Sequence, residues 1–299
     1  MLRHLVTIGN GEMIHTEKQP TRFDPRAFPQ YDRLSRSERL FLRTCCYFPP
    51  RPRRVRTLEH VADTDSYVRT FERAFGPELW SVIAGRDVLD FGCGEGGFTL
   101  ALAERGAGHA TGLDILPDFA MAEAEAQRRN YALTFVGAAS EMLPDASYDV
   151  IISHDSFEHF DEPEAILAEM VRLARPGGHI LIKFGPPWGN PWGRHMSGTI
   201  RRDRPWIHLV VPERTVMRAH SVYHNQTEMS ERYAQLPGGL NKMTVGRFKD
   251  IIHRQPGVRL EQLYVSPIYS LHPLVALPGI GELFSSSVRA IAVREGSSG

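Results

Sequence analysis

Residues 88–97 read Val-Leu-Asp-Phe-Gly-Cys-Gly-Glu-Gly-Gly. An apolar run, Val88 and Leu89, ends in Asp90. Glycines then alternate at Gly92, Gly94 and Gly96 before the apolar stretch Phe98 to Ala103. A buried strand that turns through glycines into a helix offers its backbone N–H groups to a nucleotide-like ligand. Glycine suits the turn because a Cβ would oppose positive φ and hold the ligand off the backbone. Two readings share these residues. Gly92, Gly94 and Gly97 satisfy G-x-G-x-x-G with Asp114 about 20 residues on, the spacing of a dinucleotide site. Asp90, Gly92, Gly94 and Gly96 satisfy D-x-G-x-G-x-G.

Other chemistry-bearing residues follow further along the chain. His154 stands just after an apolar strand pattern. Its ordinary pKa near 6.5 suits a general base for a hydroxyl or amine, and equally a residue that only hydrogen-bonds a ligand or backbone. Glu158-His159 lies close behind it, and a structural or cofactor-side role is expected there. Trp188 and Trp192 either wall an acceptor pocket or pack their loop. Arg194, with Arg201 and Arg202, either pairs with an anionic acceptor or is solvated. His195 is a second candidate for catalysis. His195, His208, His220 and His224 have no third ligand at metal spacing, although His220 and His224 would share one helical turn. No metal is therefore expected.

The elements that must position these groups alternate. Strands are expected over 87–91, 110–114, 133–136, 148–153 and 179–184, with helices over 97–105, 117–130 and 163–173. That rhythm argues a doubly wound, mostly parallel α/β sheet. Pro117 is placed as a helix opener, and Pro176-Gly177-Gly178 as the turn into the fifth strand. A helix over 66–84 leads into the first strand, divided by Gly76-Pro77. Residues 185–240 carry six prolines, many aromatics and histidines, as a lid or binding insertion would. A helix over 244–253 and strands over 258–265 and 287–293 close the chain, with a short helical connection over 266–284. Residues 1–60 read as an N-terminal extension, partly helical over 31–47, and 61–299 as the main domain. The basic stretch 51–56 is either a solvated linker or a patch for phosphates.

The 299 residues carry 35 acidic and 35 basic side chains, so no net charge draws the chain to nucleic acid. Hydrophobic residues make up 42%, ordinary for a globular protein, and no run approaches the roughly 20 apolar residues of a membrane span. The three cysteines, two of them vicinal at Cys45 and Cys46, make no disulfide framework. A cytoplasmic setting is expected.

Taken in order, four motifs resemble the class I S-adenosylmethionine (SAM)-dependent methyltransferases, within the bacterial small-molecule group that includes ubiquinone-biosynthesis-like enzymes. They are Asp90-Phe-Gly92-Cys-Gly94-Glu-Gly96, Ala110-Thr-Gly-Leu-Asp114, Tyr148 to Ser153 with Glu158-His159, and Arg175-Pro-Gly177-Gly178. The resemblance implies a Rossmann-like sheet of the seven-stranded methyltransferase type, with SAM as cofactor. It places the methionine part of SAM at Asp90, Gly92, Gly94 and Gly96, and the ribose hydroxyls on Asp114. Ile115, Ser140, Glu141 and His154 complete the implied cofactor set. Relatives carry an acid for the adenine amino group where this chain has Ala139, which leaves Ser140, a backbone group or packing to recognise adenine. Phe184-Gly-Pro186-Pro187-Trp188 resembles the Pro-Pro-aromatic motif of nucleic-acid amino-methyltransferases, but it follows strand five and lacks the leading amide or acid. Base methylation is excluded on that ground.

The expected activity is methyl transfer from SAM to a small-molecule acceptor, with oxygen ahead of nitrogen or carbon. His154 and His195 are the catalytic candidates, and Trp188, Trp192 and Arg194 the acceptor contacts. Nucleic acid and a membrane span are not expected among the partners. The alternatives are a non-catalytic SAM-fold or partner-binding protein, and an NAD(P)-dependent oxidoreductase.

Overall fold

Val88, Val150, Ile152 and Leu181 belong to one buried apolar cluster, and their chain neighbours Leu89, Ile151, Ile180 and Ile182 belong to another. A strand sends successive side chains to opposite faces, so apolar runs of this kind require cover on both sides. The computed structural model describes residues 4–7, 13–16, 23–46, 48, 57–115, 118–137, 140–195, 204–235, 239–269 and 271–296. The stretch 51–56, Pro117, Ala139, Arg201 and Arg202 lie outside them.

The core is a seven-stranded sheet made of β1 (Asp87–Phe91), β2 (His109–Leu113), β3 (Leu133–Val136), β4 (Tyr148–His154), β5 (Ala174–Phe184), β6 (Val258–Pro267) and β7 (Ser285–Arg294). Their spatial order is β3-β2-β1-β4-β5-β7-β6. The first five strands are parallel, and β7 lies antiparallel between β5 and β6. Strand order reverses between β1 and β4, the switch point where open α/β sheets take their ligands at the strands' carboxyl ends. The expected doubly wound α/β class is the observed one.

Helices Thr64–Phe75 and Gly97–Glu104 cover one face through Val68, Phe71, Phe75, Phe98 and Leu102. Helices Pro163–Leu173 and Val245–Arg254 cover the other through Leu167, Met170, Phe248 and Ile252. Burying each such side chain contributes about 1.5–3 kcal/mol. Local details depart from the sequence pattern for identifiable reasons. Gly76, at φ +88°, ends the first helix, and a short one follows over Leu79–Ile83. β5 begins at Ala174 rather than 179: Ala174 already pairs with Tyr148, and the register shifts before Val150 meets His179. The helical stretch expected over 31–47 divides because Ser35 starts a helix of its own, Arg36–Cys45.

The chain forms two compact units. Residues 54–195, 205–210 and 232–299 hold the sheet, whereas residues 1–53, 196–204 and 211–231 form the other. This division differs from a boundary at residue 60 with 185–240 as one insertion of the sheet domain. Within the smaller unit, Ser35 and Glu38 make a reciprocal capping box, with the Glu38 carboxylate accepting from the Ser35 amide at 2.7 Å. The buried Glu38 also pairs with Arg218 of helix Glu213–Tyr223 at 3.0 Å. No helix among the described residues is long and apolar enough to cross a membrane.

Candidate functional site

The three alternating glycines after β1 have different surroundings. A Cβ on Gly96 would lie 2.4 Å from the Phe135 ring, and one on Gly92 would lie 2.6 Å from the Ser156 side chain. Those two positions let helix and strand approach closely. A Cβ on Gly94 would meet nothing within 4 Å, and its φ is +56°. Gly94 is thus the point where the turn presents bare backbone outward. Its N–H donates to the Asp114 carboxylate at 2.8 Å, just past the end of β2.

Asp90 lies beneath this turn. It is 2% exposed, and its carboxylate accepts from the Thr99 hydroxyl at 2.7 Å. Burial raises its carboxyl to about 7; the Thr99 hydrogen bond opposes the rise, and the charge of Asp114 adds to it. Cys93 is in the same surroundings: burial and then the charges of Asp90 and Asp114 push its thiol pKa up, leaving it unreactive.

Ile115 follows Asp114 and is an apolar side chain with 75% of its surface exposed. Ser140 faces another way. It is buried, and its hydroxyl donates to Glu169 of helix Pro163–Leu173 at 3.0 Å. Arg172 holds the same carboxylate at 2.7 Å and donates to the Ser140 carbonyl at 3.0 Å. Glu141 is exposed.

At the end of β4, the His154 ring stacks on Phe98, with centroids 5.3 Å apart. Burial lowers its pKa to about 4, with Asp155 raising and Lys183 lowering it. The ring is therefore neutral at physiological pH and a weak base. Asp155 adopts φ +57°, and its carboxylate accepts from Lys183 Nζ at 2.5 Å. Lys183 was missed in the sequence, although a single charge in the apolar run His-Ile-Leu-Ile-Lys-Phe was the available signal.

Glu158, His159 and His195 come together beyond β4 and β5, with one ligand-type atom from each within 4.8 Å of the others. Glu158 is 3% exposed, and its Oε1 accepts from the Gly185 N–H at 3.2 Å. Nδ1 of His159 sits 3.0 Å from the Gly239 carbonyl, and Nε2 of His195 sits 2.9 Å from that of Pro186. Asn241 fixes the turn carrying the first two residues by donating to the carbonyls of Phe157 and Phe160 at 2.9 and 2.8 Å.

Trp188 is part of an aromatic group, with His208 at 4.6 Å and Tyr233 at 5.2 Å between centroids. Its surroundings are those of a loop-packing residue. The Trp192 amide donates to Asn190 Oδ1 at 2.8 Å, and the Trp192 side chain is half-buried. Arg194 is 1% exposed, which removes the solvated reading. His220 and His224, in the smaller unit, stack with each other at 4.2 Å.

Residues 89–182 match the family model described as a methyltransferase domain. A ubiquinone biosynthesis O-methyltransferase from Methylococcus capsulatus is 34% identical over 104 residues, covering 33% of this chain and 44% of that protein. Phosphoethanolamine N-methyltransferase 1 from Arabidopsis thaliana is 28% identical over 145 residues, 42% of this chain and 30% of that one. The chain thus spans less than half the length of either relative. A structure from Listeria monocytogenes described as an S-adenosylmethionine dependent methyltransferase superposes with a TM-score of 0.50 at 15% identity. That likeness covers 78% of this chain and 100% of the other, and it concerns the fold.

Proposed function

We propose that this chain, whose residues 89–182 form a class I SAM-dependent methyltransferase domain, transfers the methyl group of SAM to an oxygen atom of a small-molecule acceptor. The observation that carries the reading is the open face of Gly94 set against the Asp114 carboxylate at the sheet's switch point.

The residues present fit SAM. Only Gly94 of the three turn glycines leaves room beside its Cα, so ligand atoms can reach the backbone there. A carboxylate has about four acceptor positions, and the Gly94 amide uses one at Asp114, so the same group can serve a ribose diol. Exposed Ile115 offers an apolar surface to a purine. When bound, SAM supplies an electrophilic methyl group on a sulfonium that already leaves readily. The chain's task is alignment of the acceptor. His154, neutral and buried against Phe98, is too weak a base to deprotonate an alcohol, and its role is to hydrogen-bond and shape the edge of β4. Trp192, His195 and buried Arg194, on the loop after β5, stand on the acceptor side.

An oxygen acceptor is preferred because the O-methylating relative is the more similar of the two, 34% against 28% identity. Calorimetry with SAM, followed by incubation with labelled SAM and a metabolite extract, tests the reading. The expected result is SAM binding and a labelled methyl ether or ester. Absence of SAM binding would overturn the methyltransferase reading, and a labelled methylamine would overturn the oxygen preference.

A further inference from the structure

We propose that Glu158, His159 and His195 form a binding site for one divalent transition-metal ion. Their ligand-type atoms already lie within 4.8 Å of one another. Two ligands about 2.1 Å from a common ion sit roughly 3–4 Å apart, so side-chain adjustments of about an ångström complete the site.

Two further observations point to a cation. Glu158 is 3% exposed, and its Oε2 is buried with no hydrogen bond among the described residues. A buried carboxylate oxygen left in that state costs stability, and a metal ion would satisfy it. The second observation is the pair of carbonyls behind the imidazoles. Gly239 O accepts from His159 Nδ1 and Pro186 O from His195 Nε2, at 3.0 and 2.9 Å. A carbonyl only accepts, so each of those nitrogens carries the proton. The neutral ring then has its lone pair on the opposite nitrogen, Nε2 in His159 and Nδ1 in His195. Orientation of a ligating histidine by a backbone carbonyl is the usual outer layer of a metal site.

The donor set selects the ion. Two imidazoles and one carboxylate suit Zn²⁺, Co²⁺, Fe²⁺ or Mn²⁺, whereas Mg²⁺ and Ca²⁺ prefer oxygen throughout. Three protein ligands leave coordination positions open. Glu158 follows β4 and His195 follows β5, at the sheet edge assigned above to the acceptor. An acceptor oxygen entering an open position would be polarised and held in place. That consequence rests on the methyl-transfer reading; the ion site itself does not.

Co²⁺ is the probe, because its visible absorption reports nitrogen and oxygen ligands and low coordination number. The chelator-stripped full chain is titrated with Co²⁺ and then with Zn²⁺. One Co²⁺ per chain with absorption that Zn²⁺ abolishes is the expected result. Glu158→Gln and His195→Ala are each expected to weaken Co²⁺ binding by at least the roughly 10- to 100-fold that loss of an outer-layer partner costs. His253→Ala, whose ring rests on the Lys249 carbonyl elsewhere, should bind as the unmodified chain does. No Co²⁺ uptake by the unmodified chain would overturn the proposal, as would equal affinity of His195→Ala and His253→Ala. The unmodified chain keeps the test valid where Glu158→Gln fails to fold. The titration needs neither SAM nor acceptor. Lost Co²⁺ uptake with intact SAM binding therefore defeats the ion site alone, and the reverse defeats methyl transfer alone.

Discussion

The N–H of Gly94 donates to the carboxylate of Asp114 at 2.8 Å, joining the turn after β1 to the end of β2. One carboxylate thereby fixes the outward-facing part of the turn and stands beside the space that turn leaves open. Asp114→Ala should lose the anchor and, on the proposed assignment, the acceptor for the ribose hydroxyls. Hydrogen bonds to a charged group are worth about 1.5–3 kcal/mol, so SAM affinity should fall roughly 10- to 100-fold. Calorimetry reads this directly, and unchanged affinity would remove Asp114 from the site.

The glycines predict a contrast within one turn. Gly94→Ala places its Cβ in open space at φ +56°, so the loss in stability should be only the roughly 1–2 kcal/mol of a left-handed alanine. SAM affinity should nevertheless drop, because the methyl group occupies the approach to the backbone. Gly96→Ala drives its Cβ to 2.4 Å from the Phe135 ring, and overpacking added to the same backbone term costs roughly 2–5 kcal/mol. Thermal unfolding beside calorimetry separates the two effects. A Gly94→Ala protein with full SAM affinity would contradict the assignment.

Ser140 donates to Glu169, a carboxylate that Arg172 also holds. Ser140→Ala should therefore cost about 1 kcal/mol of stability and leave SAM affinity unchanged. A large affinity loss in a fully folded Ser140→Ala protein would return adenine recognition to this hydroxyl.

His154 should be silent in a pH titration around neutrality. Burial holds its pKa near 4 in the folded chain against 6.5 for the ordinary side chain. Its ring signals in NMR should stay constant from about pH 8 down to about pH 5. Linkage carries a sign as well. As pH falls from 6.5 towards 4, the unfolded chain takes up a proton that the folded one refuses, so this residue subtracts stability on acidification. Midpoint movement near 6.5 in the folded protein would disprove the buried, neutral assignment.

The fold was legible because its signals are local. Short continuous apolar runs, the glycine turn after β1 and the Asp that follows β2 are each contained in a few residues. The structure gathers the candidate residues Asp90, Gly94 and Asp114 because they lie on or beside those elements. Glu158 and His159 stood out as a pair, but nothing in the spacing ties them to His195. A tight turn pinned by Asn241 and the loop after β5 bring the three together. Ser140 is one of three ways the sequence offers to recognise adenine, and its partner Glu169, 29 positions on, becomes a neighbour only through helix Pro163–Leu173. The pairing of helix Arg36–Cys45 with Glu213–Tyr223 through Glu38 and Arg218 is likewise non-local. It underlies a division of the chain that proline positions alone did not reveal.

Asp90 makes the folded chain sensitive to pH in the direction opposite to His154. Its carboxyl rises from 3.8 to about 7 because burial disfavours the charged form. Below about pH 4 both folded and unfolded chains hold the proton, and the residue has no effect. As pH rises from 4 to 7 the unfolded chain releases its proton while the folded one keeps it, so stability falls across that window. Each pH unit between the two values is worth about 1.4 kcal/mol, an upper bound of roughly 4 kcal/mol at pH 7 and above. Asp90→Asn keeps an oxygen for the Thr99 hydroxyl and abolishes the ionisation. Relative to this variant, the unmodified chain should lose ground steadily between pH 4 and 7, with the gap constant above 7. Urea unfolding at unit steps of pH measures the difference. Parallel stability curves for the two proteins would show that Asp90 ionises in the fold as it does in water.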